Sequence, residues 1–198
     1  IIKGISKNIS NTTPAIIILL LIGALAGTWL ISGIIPAMIY YGLQILNPKI
    51  FLFATAIITA IISLATGSSW STIATIGIAL LGIGKALGLP IGLIGGAIIS
   101  GAYFGDKMSP LSDTTNLAPA MTETDIFTHI KYMMYTTIPS FTITLIIFLF
   151  TGFSYTSSDN QDVDLLLLAL SDAFNINAYL FLVPIAVIIL IIKNYHQL

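Results

Sequence analysis

The residues best suited to chemistry lie close together in the stretch GDKMSPLSDTTNLAP, residues 105–119. Asp106 and Asp113 offer two carboxylates there. Asp113 is the first candidate ligand, because hydroxyl and amide side chains follow it directly, and Asp106 is the second. The further oxygen ligands in this stretch are Ser112, Thr114, Thr115 and Asn116. Such oxygens are hard ligands, which favour Na⁺ over a soft metal, so we expect a sodium site at Asp113, Thr114 and Asn116.

A second group of small hydroxyl residues lies in the stretch TGSSWST, residues 66–72, inside an apolar run. Ser69 and Thr72 are the candidate ligands in it. Glycine allows a sharp bend and proline removes a backbone hydrogen-bond donor, so both stretches favour the interruption of a helix. The residues expected at these interruptions are Gly67, Gly105, Pro110 and Pro119.

The composition places both stretches in a membrane. Of the 198 residues, 57% are hydrophobic and only 8% are charged, whereas a typical soluble domain has about 25% charged residues. A helix needs about 20 mostly apolar residues to cross a bilayer, and several uncharged runs reach that length. These runs are 8–48, 50–84, 86–105, 132–158 and 173–192. The sequence therefore predicts an all-α, polytopic membrane protein, a single helical bundle.

The expected elements follow from the apolar runs and the turn residues between them. Interfacial segments are expected at 1–13, an amphipathic stretch with Lys3 and Lys7 on its polar side, and at 124–135. The other expected elements are a span at 14–46 kinked at Pro36, a hairpin at 50–84 broken at 66–72, a helix at 91–121 unwound at 105–116, a span at 136–153, a polar loop at 154–177 and a span at 178–192.

Interrupted helices at membrane depth indicate transport. Broken backbone is tolerated in a membrane only where it is buried in protein or lines a wet cavity, and secondary transporters build ion sites from it. A carboxylate in that setting is poorly solvated when charged, so it binds a proton or a cation but does not hold both comfortably. This competition is the chemistry of a cation/proton antiporter.

Other functions remain as alternatives. Asp106 and Asp113 could lie in an aqueous loop of a purely structural membrane subunit. An intramembrane aspartyl protease is a distant alternative, because its two carboxyls must share a proton, whereas these two lie on one short, proline-containing segment. The chain lacks cysteine and arginine and has a net charge of −1, which argues against thiolate metal sites, disulfides and nucleic-acid binding. No cofactor is expected beyond the transported ions.

Three long stretches closely resemble the NhaC family of sodium/proton antiporters. They are GTWLISGIIPAMIYYG at 27–42, SLATGSSWSTIATIGIALLGIG at 63–84 and GAIISGAYFGDKMSPLSDTTNLAPA at 96–120. The resemblance runs from about residue 15 to 153 and is looser beyond. It implies not an enzyme but a secondary transporter of the bacterial inner membrane that exchanges Na⁺ for H⁺. The family also includes members that look like malate/lactate exchangers coupled to sodium and protons, which stand as the alternative.

The resemblance also implies an architecture. Members of this superfamily have two inverted repeats, each with a re-entrant hairpin and a broken helix. The stretch at 66–72 would be the hairpin tip and that at 105–116 the broken-helix loop of one repeat. Such proteins are usually more than twice this length, and the chain begins with Ile1 rather than Met. We therefore expect one half of the transporter, with the remainder of the polypeptide and membrane lipid as partners; pairing with a second copy stays open.

Overall fold

The computed structural model describes residues 20–21, 24–25, 27–45, 47–155 and 160–195, and all regular structure in this part of the chain is helical. The helices are α1 (Ile34–Ile45), α2 (Pro48–Thr66), α3 (Ser69–Ala86), α4 (Ile91–Met108), α5 (Asp113–Thr122), α6 (Ile126–Phe153), α7 (Asn160–Ala173) and α8 (Leu182–Tyr195). The prediction of an all-helical fold is confirmed for these residues. The segment 1–13, expected at the interface, lies outside them.

Three helices of the described chain are long and apolar enough to cross a membrane: α2, α3 and α6. A fourth crossing results if Val163–Ala173 and Ala178–Val187, which meet at an angle of 86°, are counted as one bent span. By length and composition, the chain is therefore a membrane protein with several candidate spans, as its hydropathy predicts.

Short polar caps separate α2 from its neighbours. Asn47 caps the start of α2 by accepting a hydrogen bond from the backbone N–H of Lys49 at 3.0 Å, and Pro48 follows at the first helical position. The helix ends at Gly67, whose φ of 67° is left-handed. Ser68 then caps α3 by accepting from the Ser71 N–H at 3.2 Å. The interruption expected at 66–72 is thus only two residues long.

Helices α2 and α4 form the tightest pair in the bundle. A Cβ atom on Gly101 would overlap the Ala56 carbonyl oxygen, and one on Gly105 would overlap the Ala60 carbonyl oxygen. Glycine allows this approach, and close van der Waals packing holds membrane helices together where lipid removes the hydrophobic driving force. The fully buried large side chains beside this contact are Phe51, Leu52 and Ile94.

The broken helix differs from its predicted form. Unwinding was expected over 105–116, but α4 continues to Met108 and α5 already begins at Asp113. The break is therefore four residues long, because the Ser112 hydroxyl accepts from the Thr115 N–H at 3.4 Å and restarts the helix. Pro119, expected to break the helix, lies inside α5.

The predicted kink at Pro36 is wrong. The chain turns instead at Ser32 and Gly33, and Gly33 has a φ of 88°. Pro36 lies in the first turn of α1, where its missing N–H removes no helical hydrogen bond. Much of the first half of the expected span, 14–46, lies outside the described residues.

Three expectations for the C-terminal half also differ from the structure. The expected interfacial helix and the following span form one helix, α6, because no glycine occurs between its Asp125 cap and Gly152, and Pro139 does not end it. The polar loop expected at 154–177 contains α7, whose Leu166 and Leu167 pack on the core. The final span is preceded by a 3₁₀ turn, Ala178–Phe181, before α8 begins.

Candidate functional site

The two interrupted segments lie against each other. The Ser69 hydroxyl at the start of α3 donates a hydrogen bond of 2.9 Å to Oδ2 of Asp106 in the last turns of α4. The Ser109 hydroxyl in the α4–α5 break donates to the Leu64 carbonyl at 2.8 Å. Polar groups that are about 40 positions apart in sequence thus form one buried site, where the tip between α2 and α3 contacts the α4–α5 break.

Gly67 makes this contact possible. A Cβ at this position would lie 2.6 Å from the carbonyl carbon of Leu111 in the α4–α5 break, closer than real Cβ contacts come. Its left-handed backbone, with φ of 67°, also disfavours any residue with a side chain. Gly67 is therefore needed both for the turn and for the approach of the break.

We expect Gly67→Ala to separate the two interrupted segments. Strain of the left-handed backbone costs about 1–2 kcal/mol, and the clash with Leu111 adds to it. The thermal unfolding temperature of the purified protein should fall by clearly more than in Gly88→Ala. Gly88 also has a left-handed φ, of 77°, but is exposed, so that variant reports the backbone strain at a surface position. Equal shifts in the two variants would show that the contact with Leu111 is not important.

Asp106 is the most unusual side chain of the site. It is 8% exposed, and within the described chain its Oδ1 atom is buried without any hydrogen-bond partner. A buried polar atom without a partner is costly, and a buried unpaired charge more so. The neighbouring Lys107 does not form a salt bridge with Asp106. Its side chain is exposed and lines a cavity between α4 and α6.

Residues after Asp106 stabilise the α4–α5 break through hydrogen bonds. The Thr115 hydroxyl donates to the carbonyl oxygens of Asp106 at 3.1 Å and Lys107 at 3.3 Å, which satisfies carbonyls at the end of α4. The Asn116 amide donates to the carbonyls of Pro110 at 2.8 Å and Ser112 at 2.7 Å. The hydroxyls of Ser112 and Thr114 lie 2.8 Å apart.

The predicted sodium ligands do not all converge on one point. Thr114 and Asn116 are exposed, and the amide of Asn116 is used to hold the break. Asp113 is the first residue of α5, and its side chain is outside the described part of the structure. Two pairs of predicted ligands are in side-chain contact, Ser69 with Asp106 and Ser112 with Thr114, and the first pair is the one that includes a carboxylate.

Thr72 lies in the first turn of α3, after the interruption at Gly67 and Ser68. Its hydroxyl donates to the Ser68 carbonyl at 2.8 Å and lies 3.5 Å from the hydroxyl of Thr66. Both threonines line a cavity of about 210 Å³, together with Ser71 and Thr75 and an apolar wall. Thr72 therefore lines this largely apolar cavity rather than contacting Asp106.

Sequence reasoning missed a row of buried hydroxyls on α2. Thr55, Thr59 and Ser63 recur every four residues and are fully buried, and Thr59 and Ser63 lie against the α4 glycines Gly101 and Gly105. The Ser63 hydroxyl donates to the Ala102 carbonyl at 2.6 Å, and the Thr55 hydroxyl lacks a partner in the described chain. The signal was available, because this spacing puts the three hydroxyls on one face of a helix. Ser109 was also missed as the link between the break and α2.

No group of three His, Cys, Asp or Glu side chains in the described ranges could hold a metal ion. A cation at this site would therefore be held by one carboxylate together with hydroxyl and carbonyl oxygens. That ligand set suits a monovalent hard cation better than a tightly bound divalent or transition metal.

Comparison with known proteins identifies the family. Residues 101–197 match the profile of the Na⁺/H⁺ antiporter family. The Na⁺/H⁺ antiporter NhaC of Alkalihalophilus pseudofirmus is 45% identical over 180 residues, which cover 91% of this chain and 39% of that protein. The chain belongs to the Na⁺/H⁺ antiporter (NhaC) family. The predicted resemblance is thus confirmed, and the family is one of transporters rather than enzymes.

Other relatives that match the chain are named for other substrates. The malate-2H⁺/Na⁺-lactate antiporter of Bacillus subtilis is 46% identical over 191 residues, covering 96% of this chain and 41% of that protein. The arginine/ornithine antiporter ArcD of Halobacterium salinarum is 43% identical over 149 residues, covering 75% of the chain and 31% of the relative. The chain thus spans about two fifths or less of the length of these relatives. No solved structure matches it significantly.

Proposed function

We propose that this NhaC-family chain is part of an antiporter that exchanges Na⁺ for H⁺ across the bacterial inner membrane. In this proposal Asp106 is the carboxylate that binds either ion. The observation that supports it most is the position of Asp106: it is buried where two interrupted helices meet, with Oδ1 unpartnered among the described residues. A proton or a sodium ion at Oδ1 would remove the cost of the buried charge.

The surroundings of Asp106 suit both ions. The Ser69 hydroxyl donates to Oδ2 of the carboxyl group, and because a hydroxyl rotates it can also turn its oxygen towards a cation. Asp106 lies in the last turns of α4, where the negative end of the helix dipole favours a positive charge. Interrupted helices supply this combination of carbonyl, hydroxyl and carboxylate in secondary transporters.

This proposal reverses the order of the two candidate aspartates. Asp113 is favoured by the oxygens next to it in sequence, but two of these, Thr115 and Asn116, hold the break through hydrogen bonds. Asp106 has the buried, unpartnered oxygen that a transported ion needs. Asp113 remains the second candidate, since it opens α5 directly after the break.

The wider architecture is also part of the proposal. The two-residue interruption between α2 and α3 would be the tip of a re-entrant hairpin, and α4 with α5 the broken helix of the same repeat. Relatives of more than twice this length leave room for a second, inverted repeat, which would cover the site from the opposite side.

Organic-acid exchange is the second candidate function. A relative named for malate and lactate is 46% identical to the chain, and one named for Na⁺ and H⁺ is 45% identical. Identity over this stretch therefore does not separate the two substrate classes. The largely apolar cavity of about 210 Å³ next to the hairpin tip, which four hydroxyl residues also line, is the observation that keeps an organic substrate open.

A transport assay separates the two functions. The protein, expressed from its full reading frame, would be assayed in inverted membrane vesicles whose lumen is acidified by respiration. For Na⁺/H⁺ exchange, adding NaCl alone should dissipate the pH gradient, and malate or lactate should add nothing. Vesicles without the protein provide the background. A response that needs malate and lactate on opposite sides of the membrane would replace the Na⁺/H⁺ proposal with organic-acid exchange.

A further inference from the structure

A polar cavity separates the outer face of α4 from α6. It has a volume of about 190 Å³, room for several water molecules at about 30 Å³ each in the liquid. We call it the α4–α6 groove. Six polar residues line it: Ser100, Tyr103, Lys107, Thr137, Ser140 and Thr144. In a chain with 8% charged residues, a polar groove between two long helices requires an explanation.

The polar residues follow the helical repeat on both sides. Those of α4 lie at positions 100, 103 and 107, and those of α6 at 137, 140 and 144, so each set occupies one face of its helix. Phe104 and Phe141 lie between them, with their rings stacked at a centroid distance of 4.1 Å. The stacked rings hold the two polar faces opposite each other.

Packing alone does not account for these hydroxyls. Hydroxyl residues in membrane helices often donate to the backbone one turn earlier, and Thr144 does so to the Ser140 carbonyl at 2.9 Å. Among the six polar residues, and within the described structure, Thr144 is the one whose side chain has a hydrogen bond. The remaining hydroxyls and the Lys107 ammonium are available as donors for a ligand in the groove.

The charge in the groove points to an anion. Lys107 is the one charged residue among the described residues that line it. It lies next to Asp106 in sequence but on a different side of α4, because Asp106 is buried at the hairpin tip and Lys107 is exposed. An ammonium with three donors, together with hydroxyl groups, complements a group with several acceptor oxygens, such as a phosphate.

Exposed tyrosines lie at the groove and just before it on α6. Tyr132 and Tyr135, within two turns before Thr137 on α6, are 72% and 69% exposed, and Tyr103 in the groove is 48% exposed. Tyrosine is enriched where the hydrocarbon core meets the head groups, and a lysine there extends its ammonium towards the head groups. We propose that the α4–α6 groove binds the phosphate head group of an anionic phospholipid.

Lipid titration of the full-length protein in detergent tests the proposal. Dissociation constants would be measured from the shift in unfolding temperature with short-chain phosphatidylglycerol, phosphatidylcholine or inorganic phosphate. Lys107→Gln should weaken phosphatidylglycerol binding about fivefold, as expected for one lysine near an anionic surface. Ser140→Ala should weaken it further in the double variant. Lys131→Gln, at an exposed lysine of α6 that does not line the groove, should leave binding unchanged.

Three other results would contradict the proposal that the α4–α6 groove binds lipid. An equal loss in Lys131→Gln would mean general attraction between lysines and anionic lipid. Binding of inorganic phosphate as tightly as phosphatidylglycerol would indicate a site for a free anion and overturn the lipid proposal. If Lys107→Gln does not fold, Lys107→Arg must retain lipid binding and Ser140→Ala must lose part of it, and failure of either contradicts the proposal. The measurement needs no transport activity, so it stands apart from the proposed exchange.

Discussion

Asp106→Asn is expected to reduce Na⁺-dependent proton movement in vesicles to the level of vesicles without the protein. An amide cannot take up and release the exchanged proton, and it carries no charge to compete for Na⁺. Because Asn has nearly the same shape and keeps a side-chain oxygen, it can still accept the hydrogen bond that Ser69 donates to Asp106 at 2.9 Å. The change therefore removes the chemistry of the site and preserves its contacts.

Stability distinguishes this result from misfolding. Asp106→Asn removes a buried charge whose Oδ1 has no partner in the described chain, so the unfolding temperature should stay the same or rise. Asp172→Asn makes the same chemical change on the exposed surface of α7 and should keep full exchange. Normal exchange in Asp106→Asn, with loss in a parallel Asp113→Asn variant, would move the shared carboxylate to Asp113.

The choice between the two aspartates shows what the sequence could predict. Both interruptions were predicted, because glycine, proline and hydroxyl residues stand out in apolar runs. Their contact was not, since it depends on how α2 and α4 pack. Proximity in sequence favoured Asp113, whereas burial favours Asp106. A signal for this was present: Asp106 follows Gly105 and lies one turn after Ala102, and both neighbours face α2.

The wrong helix boundaries have a common physical cause. Polar residues were taken as chain breaks at 154–177, but the leucines within that segment pack on the core and support α7. The opposite error occurred near residue 135. A change from polar to apolar residues there was taken as the end of a helix, although no cap or helix breaker at that point ends α6. Composition predicts where a helix meets water, but only caps and breakers end it.

Gly101→Ala is expected to have the largest effect on stability. A Cβ at this position would overlap the Ala56 carbonyl and the Thr59 hydroxyl, and backbone cannot yield as a flexible side chain can. Overpacking of this kind costs about 1–3 kcal/mol, so the unfolding temperature in detergent should fall clearly. Gly105→Ala, which would overlap the Ala60 carbonyl, should behave in the same way.

Two other glycines of the same helix are matched controls. A Cβ on Gly92 or Gly95 would meet nothing within 4 Å, and alanine is favoured over glycine in a helix by about 1 kcal/mol. Gly92→Ala and Gly95→Ala should therefore leave the unfolding temperature unchanged or raise it. If the unfolding temperature falls in Gly101→Ala and Gly105→Ala but not in Gly92→Ala and Gly95→Ala, α4 is held by its contact with α2. If it changes in the same direction in all four variants, the contact contributes little.

The same substitutions connect packing to exchange. Asp106 follows Gly105 directly, so a shift of α4 away from α2 would lengthen the hydrogen bond between Asp106 and Ser69. Gly105→Ala should therefore lower Na⁺-dependent proton movement even in the fraction of protein that remains folded, whereas Gly92→Ala should not. Full exchange in folded Gly105→Ala would mean that the Ser69 contact is not needed to position the carboxylate.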